Sequence, residues 1–134
     1  MTGPAALRRG KIVMVVDDSW ENLLHLQNLV ESHGYVCLAV PSGEDCLELV
    51  ARASPRVIVL DIEMPGMDGF ETCRRLRRIS SLRRIPIMFL TARKTTEAVR
   101  TGIGVGGNDF VVKPPDPAKL LERIDHWASA QLAG

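Results

Sequence analysis

Five short apolar runs, separated by longer stretches with a helical repeat, constrain the fold of this 134-residue chain more than any other feature. They fall at Ile12–Val16, Val36–Val40, Val57–Leu60, Ile87–Leu90 and Phe110–Val112, and the central ones are apolar throughout, as strands covered on both faces must be. Strands that alternate with helical segments are the pattern of repeated βα units and of a parallel sheet. Between them, Cys46, Leu49, Val50 and Ala53 fall at i, i+3, i+4 and i+7, and Leu120, Ile124, Trp127 and Ala128 repeat that stripe, so both segments predict helices that lie on the sheet. Helix starts are marked by the capping-box spacing of Asp18 to Glu21, by Ser42, by Asp68, and by Asp116 followed by Pro117. The expected architecture is a helix-clad, doubly wound α/β sheet. It occupies one domain over residues 11–131, with 1–10 an N-terminal tail and the last three or four residues also loose.

Composition narrows the function. With 46% hydrophobic residues the chain can bury one core, and its 17 Lys plus Arg nearly balance 16 Asp plus Glu, which excludes a global attraction to nucleic acid or an anionic membrane. The apolar runs fall far short of the roughly 20 residues needed to span a bilayer. No signal-peptide core follows the basic start Met1–Lys11, and Cys37, Cys46 and Cys73 are odd in number and unpatterned, so they read as reduced core thiols of a cytoplasmic protein.

In open parallel sheets, ligands bind beyond the carboxyl ends of the strands. The first run leads into Asp17 and Asp18, the third into Asp61, the fourth into Thr91 and the fifth into Lys113. Three crowded carboxylates repel unless a cation sits among them or some take up protons. Magnesium suits such a set, because it accepts one or two carboxylates, several waters and a phosphate oxygen. Asp61 is the candidate nucleophile for a phosphoryl group, with Asp17 and Asp18 on the metal. Lys113, the Thr91 hydroxyl and the Ala92 backbone N–H are donors for phosphate oxygens.

Val15-Val16-Asp17-Asp18, Asp61-Ile62-Glu63-Met64-Pro65-Gly66-Met67-Asp68-Gly69, Leu90-Thr91-Ala92, Gly107-Asn108-Asp109-Phe110 and Lys113-Pro114 resemble, in order, the motifs of the response-regulator receiver family, over about residues 11–131. The resemblance implies a flavodoxin-like (βα)5 fold with strand order 2-1-3-4-5. It implies phosphorylation of Asp61 by a histidine kinase or histidine phosphotransfer protein. Magnesium would be held by Asp17, Asp18, Asp61 and the Glu63 backbone carbonyl. Thr91 and Phe110 would be the switch residues that alter a protein-binding face of the fourth helix, fifth strand and fifth helix. A cis Lys113–Pro114 peptide, slow self-dephosphorylation without enzymatic turnover, a downstream protein target and the option of a phosphorylation-dependent dimer follow from the same likeness.

Other residues carry separate signals. Arg74, Arg75, Arg77, Arg78, Arg83 and Arg84 read as a solvated face rather than a nucleic-acid surface, for they carry no interleaved aromatics. His25, His33 and His126 are scattered and do not fit the site. Gly102, Gly104, Gly106 and Gly107 predict a short or mobile fourth helix, each internal glycine costing about 1 kcal/mol. Glu63 and Arg93 are placed to pair across the site. Two rival readings are a degenerate receiver acting as an interaction module independently of phosphorylation, and an Asp-nucleophile phosphatase. The second needs an Asp-x-Asp pattern on the first strand that this chain lacks.

Overall fold

In the computed structural model, which describes residues 4–130, five parallel strands form one sheet. They are β1 (Ile12–Val16), β2 (Val36–Val40), β3 (Val57–Asp61), β4 (Ile87–Thr91) and β5 (Asp109–Val112), in the order β2-β1-β3-β4-β5. Each strand leads into a helix: α1 (Trp20–Ser32), α2 (Gly43–Ala53), α3 (Gly69–Arg78), α4 (Thr96–Gly104) and α5 (Pro117–Ser129). A short N-terminal helix, Pro4–Arg8, precedes them within the segment expected as a tail, and the expected C-terminal loose residues lie outside the described ones.

Successive strand side chains point to opposite faces. Met14, Val16, Ile58, Leu60, Ile87 and Phe89 therefore face a core shared with α2 and α3, while Val13, Val15, Val57, Val59, Met88 and Leu90 face a second core under α1 and α5. This double burial explains the unbroken apolar runs. The caps follow the expected residues at Ser42, Asp68 and Asp116, each accepting the backbone N–H three residues on. At α1 the cap is Ser19 rather than Asp18, and the Asp17 carboxylate accepts the Ser19 N–H at 2.8 Å.

Two polar knots hold the periphery. Asp125 on α5 accepts the Arg8 guanidinium through both oxygens (2.8 and 2.9 Å), the Tyr35 hydroxyl at 2.6 Å and His33 Nε2 at 2.9 Å, tying the N-terminal helix to the domain. Arg77 differs from the solvated face expected of the arginine run. Its guanidinium turns inward and donates to the carbonyls of Gly106, Leu82 and Ile85 and to Asn108 Oδ1 at 2.6–3.1 Å. It thereby ties the segment before β4 to the loop before β5. Arg74 and Arg75 instead pair with Glu71 on the α3 surface.

The glycines after β4 accompany the shortest of these five helices, since α4 is continuous over only nine residues. A Cβ at Gly102 would lie 2.1 Å from Phe110 Cζ, and one at Gly107 would lie 2.2 Å from Phe89 Cε2. These positions accommodate a row of rings, Phe70, Phe89 and Phe110, with successive centroids 5.3 Å apart. Burial pushes the Cys37 and Cys46 thiols up to about 12 and Cys73 to about 11, away from the reactive thiolate form, and all three cysteines are free. Among the described residues no helix is long and apolar enough to cross a membrane.

Candidate functional site

Parallel pairing of β1, β3 and β4 brings their carboxyl ends to one edge of the sheet. Asp17 directly follows β1, while Asp61 and Thr91 are the last residues of β3 and β4, so the carboxylates and the hydroxyl meet although they stand far apart in sequence. Gly69 lets the β3–α3 loop close over this edge: a Cβ there would lie 2.3 Å from the Asp61 carbonyl oxygen, whereas the Gly69 N–H bonds the Ile62 carbonyl at 2.9 Å.

One carboxylate oxygen each from Asp17, Asp18 and Asp61 lies within 4.8 Å of the others, with Asp17 and Asp61 buried and Asp18 exposed. Lys113, after β5, reaches back between two of them, its Nζ 3.1 Å from Asp17 Oδ2 and 2.8 Å from Asp61 Oδ1. Asp61 Oδ1 is fully buried and lacks a well-directed hydrogen bond, so the lysine meets it as a charge contact. Burial pushes the Asp61 carboxyl up to about 6, with the Asp17 and Glu63 charges adding to the rise and Lys113 opposing it. Burial alone would lower Lys113, but its contacts with Asp61 and Asp17 leave it raised. The Lys113–Pro114 peptide is cis, as expected. The donor set is all carboxylate oxygen, partly buried and open on the Asp18 side, which fits a hard divalent cation that keeps some of its waters.

Glu63 sits at the mouth of the site, and its carboxylate turns toward Thr91 rather than Arg93. Thr91 Oγ1 donates to Glu63 Oε1 at 2.8 Å, and no Glu63–Arg93 ion pair is formed among the described residues. Thr91 Oγ1 also accepts the Arg93 N–H at 3.1 Å and lies 2.9 Å from the Arg93 carbonyl. Partial burial would raise the Glu63 carboxyl, but hydrogen bonds from the Thr91 hydroxyl and the backbone N–H groups of Glu63 and Ala92 hold it below its ordinary range.

Phe110 lies away from this edge, on β5 opposite Phe89, half-buried against the ring row. Sequence reasoning missed Asn22, whose amide lies 3.4 Å from Asp17 Oδ2, and the mostly apolar hollow of about 330 Å³ that Asn22, His25, Leu26, Leu90, Pro114 and Pro115 form beside Asp17 and Lys113. A helical repeat places Asn22 and His25 on one side of α1, but does not show that the loop after β5 faces them.

A doubly wound parallel sheet with three acids, a threonine and a lysine at its carboxyl edge defines a flavodoxin-like α/β domain with an acidic, cation-compatible site. The family described as "Response regulator receiver domain" matches residues 13–125. The transcriptional regulatory protein AfsQ1 of Streptomyces coelicolor is 43% identical over 108 residues, which are 81% of this chain and 46% of AfsQ1. The chain thus spans about half the length of that relative. Among solved structures, the chemotaxis protein CheY4 of Vibrio cholerae superposes with a TM-score of 0.85 at 30% identity, covering 87% of this chain and 98% of its own. The receiver domain of the sensor histidine kinase PA1611 of Pseudomonas aeruginosa, solved with magnesium coordinated in its active-site cleft, has a TM-score of 0.83 at 26% identity, covering 90% and 99%. The chain belongs to the response-regulator receiver family.

Proposed function

We propose that the domain is a magnesium-dependent switch phosphorylated on Asp61. The observation that carries this reading is the convergence of the Asp17, Asp18 and Asp61 oxygens within 4.8 Å, with Lys113 Nζ 2.8 Å from the otherwise unpartnered Asp61 Oδ1. Asp17, Asp18, Asp61 and the Glu63 carbonyl would hold Mg²⁺, which when bound neutralises charge on the transferring phosphoryl group. The magnesium in the related PA1611 domain supports that assignment.

An Asp61 oxygen attacks the phosphorus of the donor as the donor bond breaks, and the electron pair of that bond leaves with the donor. The product is an acyl phosphate on Asp61. Lys113 pairs with one phosphoryl oxygen, and Thr91 Oγ1 and the Ala92 N–H donate to others. Thr91, recruited to the phosphoryl group, and Phe110, packed under Gly102 of α4, are the switch pair, and their rearrangement alters the face of α4, β5 and α5. The donor is a histidine kinase or histidine phosphotransfer protein, and the altered face engages a downstream protein. The domain acts in the cytoplasm without direct nucleic-acid contact or enzymatic turnover, and it loses its phosphoryl group slowly by itself.

Intact-mass analysis after incubation with Mg²⁺ and acetyl phosphate tests the reading. The native chain gains one phosphoryl group, whereas Asp61→Asn and metal-free samples gain none. An adduct that persists in Asp61→Asn overturns it.

A further inference from the structure

The hydroxyl assigned above to a phosphoryl oxygen is not free. The Thr91 hydroxyl is 2.8 Å from Glu63 Oε1. A hydroxyl has one proton to give, and an ionised carboxylate is a stronger acceptor than the Arg93 carbonyl that also lies within reach. The Arg93 N–H occupies a lone pair of the Thr91 oxygen and so fixes the direction in which that proton points. Lys113, by contrast, faces Asp17 and Asp61. An internal anion therefore takes up one of the donors that a phosphoryl group would use, the hydroxyl of the switch residue.

We propose that the Glu63 carboxylate is a built-in competitor for the phosphoryl seat, a latch that holds the Thr91 hydroxyl until an incoming phosphoryl group displaces it. The inference rests on the reading of Asp61 as phosphoacceptor and extends it to the control of that site. Displacement is sterically easy, because Glu63 is an exposed residue at the mouth of the site and Arg93, also exposed, stands on the solvent side. The latch keeps the hydroxyl of the switch residue occupied without any partner protein. It also makes the switching threshold a property of one side chain outside the metal-binding carboxylates.

The net worth of one such hydrogen bond predicts that Glu63→Ala is phosphorylated by acetyl phosphate about twofold to tenfold faster than the native chain at equal Mg²⁺. Glu63→Gln, which keeps a weaker acceptor, falls between them. Simple charge repulsion of the donor would also speed Glu63→Ala, so the same pair is compared in a Thr91→Val background. The latch predicts that most of the gain vanishes there, whereas an undiminished gain overturns it. A second readout needs no phosphoryl group: the Thr91 side-chain rotamer, from methyl three-bond couplings in NMR, is single in the native chain and averaged in Glu63→Ala. An unchanged rotamer overturns the latch. Failure of every variant to take up phosphate, with Mg²⁺ bound, would refute the phosphoacceptor reading instead, and the rotamer measurement would still decide whether Glu63 restrains Thr91.

Discussion

Replacing Gly102 by alanine exposes the logic of the glycine-rich α4 region. The added methyl would lie 2.1 Å from Phe110 Cζ and 3.0 Å from both Cε atoms. Carbon atoms settle about 3.5–4.0 Å apart, so the ring must withdraw by about 1.5 Å from its place against Phe89. Overpacking of this kind costs about 1–3 kcal/mol, and alanine returns up to about 1 kcal/mol of helix propensity. The expected outcome is a net loss of about 1 kcal/mol in urea unfolding followed by circular dichroism. In a Phe110→Ala background the obstacle is gone, and the same Gly102→Ala change becomes stabilising by about 0.5–1 kcal/mol. This reversal of sign is the diagnostic result. Equal destabilisation in both backgrounds would show that position 102 is glycine for a backbone reason unrelated to the aromatic ring.

Two other outcomes follow from buried charge. Because burial raises the Asp61 carboxyl to about 6, its protonated form is favoured in the folded state. Its stabilising contribution is complete below the unfolded value of about 4 and is lost as pH rises through about 6. Asp61→Asn, which cannot ionise, is therefore more stable than the native chain by about 3 kcal/mol at pH 8 without metal, while the gap closes toward pH 4 and on adding Mg²⁺. Thermal melts that show a pH-independent gap would contradict this. Arg77→Met, which leaves the Gly106, Leu82 and Ile85 carbonyls and Asn108 without their shared donor, costs about 2–4 kcal/mol. Hydrogen exchange should show the Val105–Asn108 amides losing protection first, and unaltered exchange there would deny the clamp.

The sheet and the acid site were legible for one reason: the residue that follows an apolar strand is fixed in space by the strand's register. Asp17, Asp61, Thr91 and Lys113 required only that the five runs be parallel and adjacent. What escaped the sequence were side-chain choices made across long separations. Glu63 bonds Thr91 rather than Arg93, although both lie within two residues of the expected partners, because the Thr91 hydroxyl is held beside the turn it makes with Arg93. Arg77 looked like its neighbours Arg74, Arg75 and Arg78, yet its position on α3 aims it at the Leu82 and Ile85 carbonyls before β4 and at the Gly106 carbonyl, which the folded α4–β5 loop supplies. Gly102 and Gly107 signalled a short or mobile helix but not its cause, because the rings they accommodate, Phe110 and Phe89, belong to strands. Asp125 gave no signal at all, its partners Arg8, His33 and Tyr35 being more than 85 residues away.

The central claim is that Asp61 is the residue that carries the phosphoryl group. Incubation with Mg²⁺ and acetyl phosphate, reduction with borohydride and peptide mapping locate the adduct directly, since borohydride converts an aspartyl phosphate to homoserine. The account predicts homoserine at position 61 alone, dependent on Mg²⁺. Homoserine at Asp17 or Asp18, or a phosphorylated chain with Asp61 unmodified, would contradict it.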